Sequence, residues 1–268
     1  MSLAAKAVLV GNASEAHTNR WASALRAEFL EVKVLSAHSF SLLSDFQGFV
    51  FFLGLDEICR YGSNLKNCSV IGISNALDMM SPDQIPVFAR NVDCLSRLLD
   101  SIWVDTSWAE EKLRSLEFKN VFKVPWSRPL SEKFLESSRA SLGRPSTAIL
   151  PRLSNKHYQP ELAFAAVETC ISQGIIKHAT LVGAPTQIES LIVKSPHTRS
   201  IRSLPSLPED DFVRELAAHD LLLITPKTDG LSATMVQALE LGLRVISTPT
   251  IGALEVSSVL PNAVFCSS

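Results

Sequence analysis

The side chains best placed to do chemistry fall in two short runs. In TPKTDGLSATMVQALELG (225–242), Asp229 stands directly before Gly230, and Gln237 follows eight positions after Asp229. A carboxylate on a loop accepts hydrogen bonds from hydroxyls, and an amide about two helical turns further on both accepts and donates. Between them Gly230, Leu231 and Ser232 lead into a helix, so their backbone amides would face anything negative or hydroxylated. Gly230 has no side chain to hold a ligand away. The second run is PRLSNKH (151–157), in which Arg152 offers a planar fork and Lys156 a mobile point charge. Together these suit a diphosphate; the plain alternative is a pair of ordinary surface cations. No Asp-x-Asp is present to hold a divalent ion, so no metal or cofactor is expected and the cations would neutralise the ligand themselves.

The elements that must position these residues read as repeated strand–helix units. Leu221 to Ile224 is a four-residue apolar run, the pattern of a strand buried on both faces. Pro226 ends it, Ser232 caps a helix running to about Leu241, Gly242 closes that helix, and Arg244 to Ser247 starts another strand. Upstream, Thr147–Leu150 and Ala179–Val182 read as strands. Helices are expected over Pro160–Ser172, Thr186–Val193 and Glu209–Ala218. In the first half, strands are expected at Lys6–Val10, Val32–Leu35, Gly48–Leu53, Ser69–Ile73, Ile102–Val104 and Val121–Val124. Helices are expected at Glu15–Glu28, Asp56–Tyr61 and Asn91–Leu99, with a further one capped by Ser107. Such alternation implies parallel sheets with right-handed crossovers, and ligands of these sheets bind beyond the carboxyl ends of the strands. The polar, Ser-rich 130–144 reads as a linker, giving domains 1–144 and 145–268.

The stretch DGLSATMVQALELGLRVIST resembles the donor-sugar site of family 4 retaining glycosyltransferases, which have the GT-B fold. The family pattern is a Glu, a Gly, a helix start and a second Glu eight positions after the first; here Asp229 and Gln237 occupy the two acid positions. PRLSNKH is similar to the family's Arg…Lys phosphate clamp, one residue shorter. LVGAP (181–185) resembles the strand and glycine turn beside the nucleotide base. Gly252 and Glu255 fall where the family has a Gly and a Glu after the last motif strand. HTNRWASAL followed by a strand is similar to the family's opening, whose first loop, here with Asn12, faces the interdomain cleft. The resemblance implies an α/β protein of two Rossmann-like domains, acceptor side first and nucleotide-sugar side second. It implies a hexosyltransferase of carbohydrate biosynthesis using a UDP- or GDP-sugar, with a glycan, lipid-linked or small-molecule acceptor. Asp229, Arg152 and Lys156 would be catalytic; Gly230, Leu231, Ser232, Gln237, Gly183 and Asn12 would bind substrate. The altered acids and a short first domain, together with a chain that stops after Val264–Phe265 where the family continues, also fit a degenerate GT-B protein. Such a protein would bind a nucleotide sugar or a partner protein without catalysis.

The wider composition narrows the classes. The 268 residues are 46% hydrophobic and 19% charged, as in globular domains. A formal charge of -2 offers no electrostatic footprint for nucleic acid. The N-terminus lacks the pattern of a signal peptide, no apolar run is long enough to span a membrane, and the 5 cysteines form no C-x-x-C pair. A cytoplasmic protein is expected, including the inner membrane face for a lipid-linked acceptor. Gly230–Thr234 is a near miss for a hydrolase nucleophile elbow, but Thr234 replaces the second glycine and no histidine lies beyond His219.

Overall fold

The computed structural model describes residues 6–11, 16–36, 39, 46–61, 65, 67–74, 85–124, 145–261 and 264–266. The chain divides into two compact units, Met1–Arg128 and Pro129–Ser268. The linker read at 130–144 and the loop residue Asn12 lie outside the described residues.

The first unit runs β1 (Lys6–Val10), α1 (Ala16–Glu28), β2 (Glu31–Leu35), β3 (Gly48–Leu53), α2 (Asp56–Tyr61), β4 (Cys68–Ser74), α3 (Ile85–Leu98), β5 (Ser101–Val104), α4 (Ser107–Ser115) and β6 (Val121–Lys123). Its strands pair in parallel in the order β2-β1-β3-β4-β5-β6. The second unit runs β7 (Thr147–Leu150), α5 (Pro160–Ser172), β8 (His178–Val182), α6 (Thr186–Lys194), β9 (Ile201–Leu204), α7 (Glu209–Ala217), β10 (Leu221–Ile224), α8 (Ala233–Glu240), β11 (Arg244–Ser247), α9 (Ile251–Val259) and β12 (Val264–Cys266). Here the order is β12-β11-β10-β7-β8-β9, again all parallel.

The apolar strands are explained by two-sided burial. In β10, Leu222 and Ile224 enter one core cluster with Ile149, while Leu221 and Leu223 enter another with Ala148 and Leu150. The first unit repeats this: Val8, Val10, Val50 and Phe52 face one layer, Ala7, Leu9 and Phe51 the other. Alternate side chains point to opposite faces, so a strand covered on both sides must be apolar throughout. Trp103 packs in this second layer, its ring 5.2 Å from Phe51 and 6.0 Å from Trp21.

Three local expectations are corrected. Helix α3 begins at Ile85, six residues before the expected Asn91, because Pro86 sits in its first turn, where a missing N–H costs nothing. Thr106, not Ser107, caps α4, its Oγ1 accepting from the Ala109 amide at 3.3 Å. Strand β9 (IRSL) was not expected; it is a short edge strand with only Ile201 buried, too brief to carry a clear alternation.

One polar device fixes the register of the second sheet. The Asp220 carboxylate accepts from Ser146 N (2.9 Å), Thr147 N (3.0 Å), Ser146 Oγ (3.1 Å) and Thr147 Oγ1 (3.0 Å), tying the start of β10 to the start of β7. Burial pushes the Asp220 carboxyl up, but the bonds from Ser146 and Thr147 outweigh it and hold it below the usual range.

Candidate functional site

In the second sheet β7 and β10 are neighbours, yet the chain leaves β7 towards β8 and β9 and leaves β10 towards β11. The loops after these two central strands therefore part at the topological switch point, where a parallel sheet offers a crevice at its carboxyl edge. Residues 151–159 form the first loop and 225–232 the second. The sequence's two chemical runs thus meet there.

The loops are fastened to each other. Thr225 Oγ1 donates to Tyr158 O at 2.5 Å, Gln159 Nε2 donates to Thr225 O at 2.9 Å, and Lys227 N donates to His157 O at 2.9 Å. The His157 Nε2–H donates to Thr228 O, so the imidazole ties the loops together. The first loop is bracketed by left-handed residues, Arg152 at φ 61 and Gln159 at φ 46. A non-glycine residue held there costs about 1–2 kcal/mol, which the bonds across the switch point offset.

Arg152 is exposed but oriented. Its Nη1 donates to Tyr158 Oη at 2.9 Å, and its guanidinium carbon lies 5.7 Å from the Tyr158 ring centre. Tyr158 is buried at 6% exposure, and burial pushes its phenol up; Arg152 pulls it down and the charge of Asp229 pushes it up again. The phenol therefore stays neutral, and it holds the Arg152 guanidinium in place at this edge. Lys156 begins a single 3₁₀ turn capped by Asn155, whose Oδ1 accepts from His157 N at 2.9 Å, and its side chain is exposed. Lys227, on the second loop, is exposed as well.

Asp229 is 9% exposed and Gly230 is buried. Ser232 caps α8 as expected, with Met235 N 3.5 Å from its Oγ. Gly252, in the first turn of α9, is packed against this turn: its amide donates to Asp229 O at 3.3 Å, and a Cβ there would lie 1.8 Å from Gly230 O. Gly183 has φ +69 and follows β8; a Cβ there would approach Ser206 Oγ to 3.0 Å and Ser154 Oγ to 3.4 Å. It therefore borders the 151–159 loop at the same carboxyl edge.

Gln237 takes a less open position. It is 4% exposed, its Nε2 lies 3.5 Å from Glu209 Oε1 on α7, and its Oε1 is covered and lacks a hydrogen-bond partner among the described residues. Tyr158, Lys227 and Glu209 did not stand out in the sequence. Tyr158 carries only the weak signal of lying in the NKHYQP loop, while the Glu209–Gln237 contact spans 28 positions and has no local signature. No group of three or more His, Cys, Asp or Glu residues suited to a metal ion occurs among the described residues. No described helix is long and apolar enough to cross a membrane.

No model of a known protein family and no curated protein matches this sequence. Solved structures do match. HepE of Anabaena, in complex with UDP and glucose, aligns with a TM-score of 0.68 at 12% identity, covering 94% of this chain and 83% of that one. The trehalose-6-phosphate protein of E. coli bound with UDP-2-fluoro glucose aligns at 0.65 and 10% identity, covering 97% and 87%. The lipopolysaccharide outer core galactosyltransferase WaaB, in its apo form, aligns at 0.64 and 10% identity, covering 92% and 81%. The fold is GT-B, two α/β units with parallel sheets flanked by helices, as expected from the sequence.

Proposed function

We propose that this protein is a glycosyltransferase that takes a UDP- or GDP-sugar in its second unit and passes the sugar to an acceptor hydroxyl with retention of configuration. One observation carries the reading. The loop holding Arg152 and Lys156 is bonded to the loop holding Asp229 and Gly230 at the switch point of the sheet. A sheet edge with the cations of one loop beside the carboxylate and helix amides of the other matches a diphosphate joined to a polyol. That solved relatives of this fold hold UDP, or a UDP-sugar analogue, supports the same choice of ligand.

In this reading Arg152 and Lys156 take up the negative charge that develops on the departing diphosphate, together with the amides of Gly230, Leu231 and Ser232 at the start of α8. Asp229 accepts from hydroxyls of the donor sugar and sets its orientation. Gly183 leaves room for the nucleoside beside β8. No metal takes part, and the acceptor is a glycan, a lipid-linked species or a small molecule, met in the cytoplasm or at the inner membrane face.

Calorimetry with UDP and GDP tests this. Arg152→Ala and Lys156→Ala should each weaken the preferred nucleotide about tenfold to a hundredfold, the value of one charge-assisted hydrogen bond. Unchanged affinity in both variants would remove the phosphate site. A second reading, a nucleotide-sugar binder without transfer, is favoured by the amide at Gln237, which replaces an acid. Turnover of a panel of nucleotide sugars by the wild type decides between the two.

A further inference from the structure

We propose that Cys59 and Cys94 are a dithiol modification site: a low-molecular-weight disulfide oxidises the pair to an intramolecular disulfide that clips α2 to α3. The pair lies in the first unit, so the proposal stands apart from the nucleotide reading of the second.

The two cysteines sit on adjacent helices that share one core. Ile58 and Leu95, their immediate neighbours in the chain, are both fully buried in the same apolar cluster, and Cys59 packs against it. Cys59 Sγ reaches across to α3 and donates to Asn91 O at 3.7 Å. A helical carbonyl points towards the C-terminus, and residues three apart share a helix face, so Cys94 is the next side chain along that face. The two thiols are in hydrogen-bond contact. Both are free and half-buried, so a small oxidant can reach them. A disulfide needs its sulfurs about 2 Å apart, and thiols already in contact close that gap by rotation about their Cα–Cβ bonds. Cys68 and Cys170 are also half-buried, but no second thiol acts on either of them among the described residues.

The surroundings set the order of events. Burial and the adjoining Cys94 push the Cys59 thiol up to about 12, against the pull of the Arg97 guanidinium. Cys59 therefore keeps its proton, and the thiolate of Cys94 makes the first attack. It bonds to one sulfur of the oxidant, whose S–S bond breaks and whose other half leaves as a thiolate that takes up the proton Cys94 gave. Cys59 then gives up its proton and attacks the Cys94 sulfur of the mixed disulfide. The second half of the oxidant is expelled and protonated, so the protein dithiol loses two electrons and one small disulfide becomes two thiols. Ionisation stabilises the reduced form of strongly oxidising pairs, and the raised Cys59 thiol denies this pair that stabilisation, so the closed form persists. The ring it closes contains β4, which restricts the unfolded chain.

Oxidised glutathione, with mass spectrometry of the intact and digested protein, tests this. The wild type should lose two hydrogens and yield a Cys59–Cys94 linked peptide, with Cys68, Cys170 and Cys266 outside the linkage. Dithiothreitol should restore both thiols. Cys59→Ser should stop at the mixed disulfide on Cys94, while Cys94→Ser should leave Cys59 unmodified. The oxidised first unit should melt higher than the reduced one by on the order of 5–10 °C. A wild type that keeps both thiols, a linkage of either cysteine to another, or an oxidised form that melts no higher than the reduced one would each overturn the proposal. The wild-type measurements stand even where a serine variant fails to fold.

Discussion

Replacing Gly252 by alanine is the most severe small change that the structure identifies at the site. The added Cβ would lie 1.8 Å from Gly230 O, 2.3 Å from Gly230 C and 2.8 Å from Leu231 N. Carbon and carbonyl oxygen normally stay about 3.3 Å apart or more, so the start of α9 and the Asp229–Leu231 turn must separate by about 1.5 Å. All the obstructing atoms are backbone, and no rotamer change relieves them. The separation also breaks the 3.3 Å bond from Gly252 N to Asp229 O. Overpacking of this kind costs about 1–3 kcal/mol and the lost bond about 1 kcal/mol more. The second unit should therefore melt lower by on the order of 5–15 °C. Because the displaced turn carries Asp229 and the Gly230 amide, nucleotide-sugar affinity should fall about tenfold or more in the fraction that remains folded. Gly174→Ala is the control: Gly174 is left-handed at φ +67 with nothing within 4 Å, so it should lose about 1 kcal/mol and leave affinity unchanged. Scanning calorimetry and titration on both variants read the two quantities. A Gly252→Ala protein as stable and as tight-binding as Gly174→Ala would refute the packing argument.

Asp229→Ala should abolish transfer, or selectivity between donor sugars, while UDP or GDP affinity changes less than threefold or so, since in the proposed reading the carboxylate faces the sugar and the cations hold the phosphates; equal loss for nucleotide and nucleotide sugar would contradict that division. EDTA should leave nucleotide binding unchanged, and rescue of a lost signal by Mg²⁺ or Mn²⁺ would show that a metal neutralises the diphosphate. His219 is buried, with Nδ1 2.8 Å from Glu215 O and Nε2 2.9 Å from Thr180 Oγ1, and burial holds its pKa below the usual value of 6.5 despite the opposing pull of Glu215. The unfolded chain therefore takes up a proton first as pH falls: the contribution is fully present above about pH 6.5 and is lost below it. The melting temperature of the wild type should fall more steeply between about pH 7 and 5 than that of His219→Gln, and parallel slopes would sink this assignment.

The sequence by itself determined the two sheets and most of their elements. Runs such as LLLI at 221–224 need burial on both faces, and Ser232 and Gly242 mark the ends of α8. These signals are written within a few residues, because caps, turns and periodicity are short-range. It also placed Arg152, Asp229 and Gly230 at the ends of strands, and so at the edge where a parallel sheet binds ligands. Only the tertiary structure decided what those residues face. Tyr158 orients Arg152, His157 fastens loops 71 positions apart, and Gly252 is required by a peptide that lies beside it in space and not in the chain. The Gln237 position shows the limit most plainly. The helical spacing locates it after the Asp229–Gly230 loop, but the carboxylate at Glu209, 28 residues away, meets its amide nitrogen. Which end of an amide is offered to a ligand is set by the nearest charge, and that charge arrives only when α7 and α8 pack together.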